Sequence, residues 1–299
     1  MSIIVIDIGG TGSRALFSES TSGKVKVVEG PGANPNRVGK ERTSETLLKL
    51  IKDLGIESNG VDKLVIGLAG ISCVDSFEAV RNGVVRSGLV VDTDKAWLMS
   101  DAELAHIAAF GYDMQCSDGI LLIAGTGSIA IGRPNPEEPS TASIIREGGL
   151  GFKDGDEGSG HWIGFKLKDL SESNAEIKKA LLAQLSLGEE DIAGAEPSTL
   201  AVALDPLSAT FTDVQCIASE AGQQLAKLCL QLRLQNPGLC RIRAWGSVLK
   251  HSSTVRSAFK EGLVGSPLEL LGDLEDAMLQ SVPALQELTD FPSEGLFLA

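Results

Sequence analysis

Cysteine, histidine and aromatic residues are scarce in this sequence, and their arrangement excludes several kinds of site. The 299 residues include five cysteines, three histidines and one tyrosine, and aromatic residues make up 4%. No two cysteines form a C-x-x-C pair, so the sequence predicts neither a disulfide framework nor a zinc or iron-sulfur cage, and a reducing, cytoplasmic location is expected. The cysteines are Cys73, Cys116, Cys216, Cys229 and Cys240.

The sequence also lacks a long apolar run, a basic leader and an excess of positive charge. No stretch approaches the ~20 apolar residues of a membrane helix, and Asp7 interrupts the first apolar run too early for a signal peptide. Because 26 Lys and Arg face 40 Asp and Glu, the formal net charge is -14. A nucleic-acid backbone or an anionic membrane surface would be repelled. We therefore expect no secretion, no membrane insertion and no nucleic-acid partner.

Several motifs of nucleotide-binding proteins and hydrolases are missing. The sequence has no G-x-x-x-x-G-K-[ST] P-loop, no G-x-G-x-x-G dinucleotide fingerprint, no G-x-S-x-G and no H-E-x-x-H. The three histidines, His106, His161 and His251, stand at no metal-ligand spacing. We therefore predict that each is a surface or packing residue.

What the sequence does contain is the composition of a globular protein of two domains. Hydrophobic residues make up 43% and charged residues 22%, so the chain can bury a sizeable core. A length of 299 residues exceeds what one hydrophobic core usually serves.

An internal repeat organises the chain. The segment GTGSRAL at 10–16 recurs as GTGSIAI at 125–131, and each copy follows a short apolar run, IIVI at 3–6 and ILLI at 120–123. Each copy predicts a strand, a glycine turn and a second strand. One such turn alone is better explained by turn chemistry. Two copies favour a pair of phosphate-binding turns, since glycine leaves backbone N–H groups uncovered for an anion.

The remaining pattern alternates between strands and helices, as in a mixed α/β protein. We expect a boundary near residue 111, which gives an N-terminal lobe at 1–111 and a C-terminal lobe at 112–299, with the last helix free to return to the first lobe. A loop is predicted at 133–139. Further strands are predicted at 24–29, 63–68, 97–99 and 241–245, and helices at 41–54, 76–87, 102–110, 158–170 and 212–234.

Three carboxylates stand beside glycine turns or helix starts, and each has two interpretations. Asp7 either caps its turn or holds hydrated Mg²⁺ against phosphates, because hard cations prefer oxygen ligands. Asp101 is either a helix N-cap or a general base for an attacking hydroxyl. Asp156 lies in a run of glycines and acids that does not keep calcium-loop spacing, which favours sugar hydroxyls as the ligand.

Four segments resemble the N-acetylglucosamine kinase and glucosamine kinase branch of the BadF/BadG/BcrA/BcrD ATPase family, in the actin, Hsp70 and hexokinase superfamily. They are Asp7 to Thr11, Ser100 to Ala102, Ala124 to Ser128, and the glycine-rich run from Gly148 to Gly164. The resemblance covers most of the chain. It implies an α/β fold of two duplicated ribonuclease-H-like lobes, the actin-like ATPase fold, with a cleft between them. It also implies ATP and Mg²⁺ as cofactors, a small-molecule sugar substrate and commonly a homodimer.

The resemblance implies roles for individual residues. Asp101 would accept the proton of the 6-hydroxyl of an amino sugar, N-acetylglucosamine or glucosamine, as that hydroxyl attacks the γ-phosphate of ATP. Asp7 would organise Mg²⁺. The implied phosphate and nucleotide contacts are Gly9, Gly10, Thr11, Gly125, Thr126, Gly127, Gly246 and Ser247. The implied sugar contacts are Asn34, Asp101, Gly149, Leu150 and Asp156.

The sequence departs from the family pattern in two places, and two rival functions remain. Leu150 replaces an expected aromatic residue, and the region after Asp205 looks shorter, so no adenine contact is assigned there. An ATPase that activates a dehydratase would carry a cysteine beside the second phosphate motif, where Ile123 to Gly125 has none. A sensor that binds sugar or nucleotide without turnover is disfavoured by the presence of both Asp7 and Asp101.

Overall fold

The computed structural model describes residues 1–56, 61–71, 74–89, 95–110, 119–132, 144–151, 155–188, 191–271, 282 and 285. The chain divides into two compact units. Unit one holds the described residues up to Phe110 together with Val282 and Leu285, and unit two holds those from Gly119 to Leu271. The boundary predicted at 111 and the loop predicted at 133–139 lie outside the described residues. In the described ranges, no helix is long and apolar enough to cross a bilayer.

Unit one is a five-stranded sheet with helices. Its elements are β1 (Ser2–Ile8), β2 (Gly12–Glu19), β3 (Lys24–Pro31), α1 (Pro35–Val38), α2 (Lys40–Leu54), β4 (Lys63–Leu68), α3 (Val74–Ser87), β5 (Ala96–Met99) and α4 (Asp101–Phe110). The strand order is β3-β2-β1-β4-β5. The first three strands are antiparallel, whereas β4 is parallel to β1 and β5 is parallel to β4.

The central strand β1 is buried on both faces, which explains its continuous apolar run. Successive side chains point to opposite faces of a sheet, so Ile4 and Ile6 join one hydrophobic cluster, with α2, while Ile3 and Val5 join another. The second cluster also contains Trp97, Leu104, Ile107, Val282 and Leu285. The Nζ of Lys63 donates to the backbone oxygen of Leu285 at 3.4 Å. Residues from late in the chain therefore complete the core of unit one.

Unit two has a second five-stranded sheet and more helices. Its elements are β6 (Gly119–Ala124), β7 (Ser128–Gly132), β8 (Ile145–Gly148), α5 (Gly160–Ser173), α6 (Ala175–Leu185), α7 (Asp191–Gly194), α8 (Pro197–Leu200), a 3₁₀ turn (Ala201–Ala203), α9 (Leu204–Ser208), α10 (Thr212–Gln235), β9 (Arg241–Trp245), α11 (Ser247–His251), α12 (Ser253–Gly262) and β10 (Leu268–Leu270). The strand order is β10-β9-β6-β7-β8. The core of unit two lies between this sheet and the helices, with Leu225, Cys229 and Leu232 of α10 at its centre.

The two sheets have the same topology. Read from the antiparallel edge, the order β8-β7-β6-β9-β10 repeats the order β3-β2-β1-β4-β5. The central strand of each sheet pairs antiparallel with the next strand in the chain and parallel with a later one. The predicted α/β fold with a duplicated hairpin is therefore confirmed.

Element boundaries follow local capping. The helix predicted at 158–170 begins at Gly160, because the side chain of Ser159 accepts a hydrogen bond from the N–H of Trp162 and acts as the N-cap. The predicted strands at 63–68 and 241–245 match β4 and β9. The helices α1, α6 to α9, α11 and α12 and the strands β8 and β10 were not predicted from the sequence.

Candidate functional site

The first glycine hairpin joins β1 to β2 through residues 9–11. The N–H of Gly9 donates to the oxygen of Gly12 at 2.9 Å, which closes the turn. Gly10 and Thr11 are exposed. In the described part of the chain, neither the N–H of Gly10 nor that of Thr11 donates to a protein acceptor. These two free donors are suited to an anion such as phosphate.

The segment before α1 is fastened to this hairpin. The N–H of Ala33 donates to the oxygen of Gly9 at 3.1 Å. A Cβ on Gly32 would lie 2.4 Å from the oxygen of Gly10, so this close approach requires glycine. Asn34, an implied sugar contact, is the N-cap of α1, and its Oδ1 accepts from the N–H of Asn36 at 2.9 Å. The structure therefore brings Asn34 to the same end of unit one as the first glycine hairpin.

Asp7 and Asp101 lie close together because of β4. Asp7, near the end of β1, pairs with Gly67 of β4. A Cβ on Gly67 would lie 2.8 Å from the side chain of Leu104 and 3.3 Å from the Cα of Asp101. The absence of a side chain at Gly67 thus lets the start of α4 approach the sheet beside Asp7.

The charge of Asp101 disfavours the ionisation of Asp7. Burial, together with the charge of Asp101, raises the pKa of Asp7 to about 7, although Arg14 acts in the opposite direction. Burial also raises the pKa of Asp101, against the hydrogen bond from the N–H of Ala102 at 2.9 Å. A cation at this pair would relieve both effects, so the residues fit a hydrated Mg²⁺ held by few carboxylates. Within the ranges that the structure describes, no group of three or more His, Cys, Asp or Glu side chains could hold a metal ion.

The cap of α4 is Ser100. Its Oγ accepts from the N–H of Glu103 at 3.0 Å, the hydrogen bond that an N-cap makes. Asp101 is the first residue of the helix. The carboxylate of Asp101 also accepts from a first-turn N–H, that of Ala102, so this geometry is compatible with both the capping and the base interpretation.

The second hairpin joins β6 to β7 through residues 125–127 and rests on the start of α5. The N–H of Gly125 donates to the oxygen of Gly127 at 2.9 Å, so this turn is closed across one residue fewer than the first hairpin, where Gly9 donates to Gly12. The N–H groups of Gly160 and His161 donate to the oxygens of Gly125 and Thr126 at 2.8 and 3.0 Å. Among the described residues, no acceptor pairs with the N–H of Thr126 or of Gly127. Each hairpin thus presents two free donors.

Asp156 lies against the second hairpin. Its backbone has a φ of 63°, its side chain is buried, and its Oδ1 accepts from the N–H of Ser128 at 3.3 Å. Both carboxyl oxygens lie 3.1 Å from the position of a Cβ on Gly127. Burial raises the pKa of Asp156, while Ser128 and His161 oppose that shift. The structure therefore places Asp156 beside the phosphate motif of its own unit.

The other implied sugar contacts of unit two lie on the loop after β8. The N–H of Gly149 donates to the oxygen of Ser128 at 2.9 Å, and its φ is 68°. A Cβ on Gly149 would lie 2.7 Å from the side chain of Ile129. The side chain of the next residue, Leu150, is 62% exposed and is available for a ligand.

His161 is a site residue that the sequence reasoning missed. Its ring nitrogens lie 3.3 Å from the oxygen of Thr126 (Nδ1) and 2.6 Å from Oε1 of Glu196 (Nε2). It therefore links the second hairpin to the start of α8. The sequence could have indicated this role, because His161 lies in the first turn of a helix that follows the glycine-rich run. Of the other histidines, His106 packs on Phe110 with ring centroids 4.9 Å apart, as a packing residue would.

A cavity of about 680 Å³ opens beside the second hairpin. Gly125, Thr126 and Ser247 form its hairpin side. Its apolar wall includes Ile163, Val202, Leu204 and Val248, and polar groups at its border include Asp205, His251 and Ser252. The sequence reasoning assigned no adenine contact to the helical region after Asp205, yet Pro206 of that region lines the cavity.

Gly246 shapes the junction between β9 and this cavity. Its φ is 123°, a conformation that favours glycine, and a Cβ there would lie 2.2 Å from the oxygen of Ala124. Ser247, the first residue of α11, therefore reaches the end of β6 beside the hairpin. The structure brings the implied adenosine motif and the second phosphate motif together within unit two.

The chain is similar to a sugar kinase with a curated description. It is 34% identical over 195 residues to an N-acetylmuramic acid/N-acetylglucosamine kinase from Clostridium acetobutylicum. The alignment covers 63% of this chain and 56% of that protein, so the chain matches little more than half of the relative's length. No family model matches the sequence.

Two solved structures share the fold. One, assigned as an N-acetylglucosamine kinase from Porphyromonas gingivalis, has a TM-score of 0.67 at 20% identity, over 93% of this chain and 98% of that one. The other is a ROK family glucokinase from Streptomyces griseus in complex with glucose and AMPPNP, with a TM-score of 0.63 at 16% identity, over 95% and 99%. The resemblance to N-acetylglucosamine kinases is thus confirmed, and the chain has the fold of the sugar kinases and actin-like ATPases.

Proposed function

We propose that this protein is an ATP-dependent kinase that phosphorylates a sugar of the N-acetylglucosamine type. The observation that carries the proposal is the pair of equivalent hairpins with free N–H groups, at residues 9–11 and 125–127. One stands near a carboxylate pair and the other beside a cavity. The names of the curated relative and of the Porphyromonas structure support this activity, and the name of the Streptomyces glucokinase supports sugar phosphorylation in general.

Unit two is suited to the nucleoside of ATP. Its cavity of about 680 Å³ falls in the size range of small-molecule sites, which are mostly apolar with a few placed polar groups. Val202 and Val248 would contact the base and ribose, whereas Thr126 and Ser247 would contact the phosphate next to the nucleoside. The AMPPNP bound to the Streptomyces glucokinase supports ATP as the cofactor.

Unit one is suited to the chemical step. Phosphoryl transfer requires charge neutralisation and placement more than covalent chemistry, so free amides, a cation and one base are enough. We assign Asp101 as the base that accepts the hydroxyl proton, because its raised pKa makes it a better proton acceptor than an exposed carboxylate. Asp7 would hold Mg²⁺, which when bound neutralises phosphate charge. Gly9, Gly10 and Thr11 would hold the phosphoryl group that is transferred.

The identity of the sugar and of its acceptor hydroxyl is the more detailed part of the proposal. We assign the 6-hydroxyl as the acceptor and N-acetylglucosamine as the substrate, with N-acetylmuramic acid and glucosamine as the other candidates. Asn34 and Gly149 are the proposed contacts of the sugar, and the exposed Leu150 would contact an N-acyl group. Asp156 accepts a hydrogen bond from the N–H of Ser128 and can therefore hold the backbone of the second hairpin in place. We propose this role for Asp156 in addition to any contact with the sugar.

A coupled ADP-release assay tests the proposal. The purified protein, with ATP and Mg²⁺, is assayed against N-acetylglucosamine, N-acetylmuramic acid, glucosamine and glucose, with no sugar as the control. We expect ADP release to depend on an N-acetyl sugar, and NMR of the product to show phosphorylation at the 6-position. ATP binding without sugar-dependent ADP release would instead indicate a sensor.

A further inference from the structure

Arg37 is a cation beside the first hairpin, and it belongs to none of the motifs described above. It lies on α1 and is exposed. Its Nη1 lies 3.6 Å from the position that a Cβ on Gly10 would take. The guanidinium is thus within van der Waals distance of the part of the hairpin that presents the free N–H groups of Gly10 and Thr11.

The charge of Arg37 is not neutralised by a neighbouring acid in the described part of the chain. Some of the other cations of unit one do have such partners. Arg14 pairs with Glu29 at 3.0 Å, and Lys40 lies 3.1 Å from both Asp75 and Glu78. Within the described ranges, the guanidinium of Arg37 has no acid partner and lies close to two free backbone donors. The hydrogen-bond donors of this site are therefore available to an anionic ligand.

The backbone that carries Arg37 is held against the hairpin. Pro35 begins α1, Asn34 caps it, and the N–H of Arg37 donates to the oxygen of Asn34 at 2.9 Å. The segment before α1 is bound to the hairpin through Ala33 and through the close packing of Gly32 on Gly10. Because α1 and the hairpin are joined in this way, the guanidinium is positioned with little conformational freedom in its backbone.

We propose that Arg37 binds oxygens of the terminal phosphoryl group at the first hairpin, together with the N–H groups of Gly10 and Thr11. This assignment rests on the proposed kinase function, in which ATP supplies the phosphoryl group. The planar guanidinium matches two oxygens of a phosphate in a way that a lysine ammonium does not. These donors would bind any oxyanion. A carboxylate on the sugar is therefore a competing ligand, and the experiment must distinguish it from the phosphoryl group.

The test uses Arg37→Ala and Arg37→Lys in the full chain, with Arg42→Ala as the matched control. Arg42 is an exposed arginine of the same unit whose ion pair with Glu45 is long, at 4.0 Å. We expect Arg37→Ala to lower kcat/KM for ATP by about 10- to 100-fold and to weaken a non-hydrolysable ATP analogue similarly, since hydrogen bonds to charged groups have this strength. Arg37→Lys should recover part of the loss. ADP affinity, and all values for Arg42→Ala, should change by less than about threefold.

The measurements with the two sugars and with the ATP analogue distinguish failure of the Arg37 assignment from failure of the proposed kinase function. If Arg37→Ala leaves both the ATP analogue affinity and kcat/KM for ATP unchanged, the assignment is wrong. A loss seen with N-acetylmuramic acid and absent with N-acetylglucosamine would assign Arg37 to the sugar carboxylate and would also overturn it. If the wild type turns over no sugar but binds the analogue in an Arg37-dependent manner, the kinase function fails while the phosphoryl contact stands. Matching melting temperatures of the three variants show that folding is intact.

Discussion

Replacing Asp7 by asparagine should make the protein more stable above neutral pH, although it removes a carboxylate that the proposed function requires. Asp7 has a pKa of about 7 in the folded protein, against 3.8 for the free side chain. As the pH rises from about 4 to 7, the unfolded chain loses this proton before the folded protein does. The folded state then binds more protons than the unfolded state, so the free energy of unfolding falls with increasing pH.

The size of the effect follows from the difference between the two pKa values. A difference of about 3 pH units corresponds to at most about 4 kcal/mol, which develops fully only above pH 7. An asparagine side chain does not titrate, so the variant keeps the stability that the wild type loses. For a protein of this size, that difference is on the order of 10 °C in melting temperature.

The assay is a series of thermal melts from pH 4.5 to pH 8 without Mg²⁺, on the wild type, Asp7→Asn and Asp169→Asn. Asp169 is an exposed carboxylate of α5, and its variant should follow the wild type at every pH. The melting temperature of Asp7→Asn minus that of the wild type should be small at pH 4.5 and should increase with pH. Mg²⁺ and ATP should narrow this difference, because they bind the folded wild type with Asp7 ionised. Parallel pH profiles for Asp7→Asn and the wild type would refute the reasoning.

Three further predictions concern the base, the nucleotide junction and the cysteines. Asp101→Asn should lower kcat by about 10²- to 10⁴-fold while sugar binding, measured by calorimetry, is kept; unchanged kcat would exclude Asp101 as the base. Gly246→Ala should weaken ATP binding by at least about tenfold, because its Cβ would lie 2.2 Å from the oxygen of Ala124, and an unaltered dissociation constant would contradict the assigned junction. Iodoacetamide should modify the exposed Cys216 and Cys240 well before Cys229, since burial raises the pKa of Cys229 to about 12, and peptide mass spectrometry of the native protein gives the order.

The sequence was sufficient to predict the hairpins and the acid pair, because these depend on local pattern. A short apolar run followed by Gly-Thr-Gly specifies a strand and its turn without reference to the rest of the chain. Asp7 directly follows an apolar run and Asp101 follows another after Ser100, so their places near strand ends could be read from the sequence. That they interact depends on Gly67, whose missing side chain admits α4, and this contact has no local signal.

The residues that surround the second hairpin could not be predicted because they come together by packing between helices. α8 lies against α5, where a Cβ on Gly164 would lie 1.7 Å from the oxygen of Pro197. This contact positions the chain that supplies Val202 and Asp205 to the cavity. Glu196 meets His161 for the same reason. Arg37 was missed because its proximity to Gly10 depends on the packing of Gly32 on the hairpin.

The participation of Val282 and Leu285 in unit one has a consequence for synthesis on the ribosome. The face of the sheet that carries Ile3, Val5 and Trp97 is covered in part by these two late residues. During translation, the strands of unit one emerge first, and all the described residues of unit two follow before residues 282 and 285 become available. Unit one therefore keeps apolar surface exposed during synthesis until residues 282 and 285 have emerged, which is the interval in which chaperones protect such surfaces.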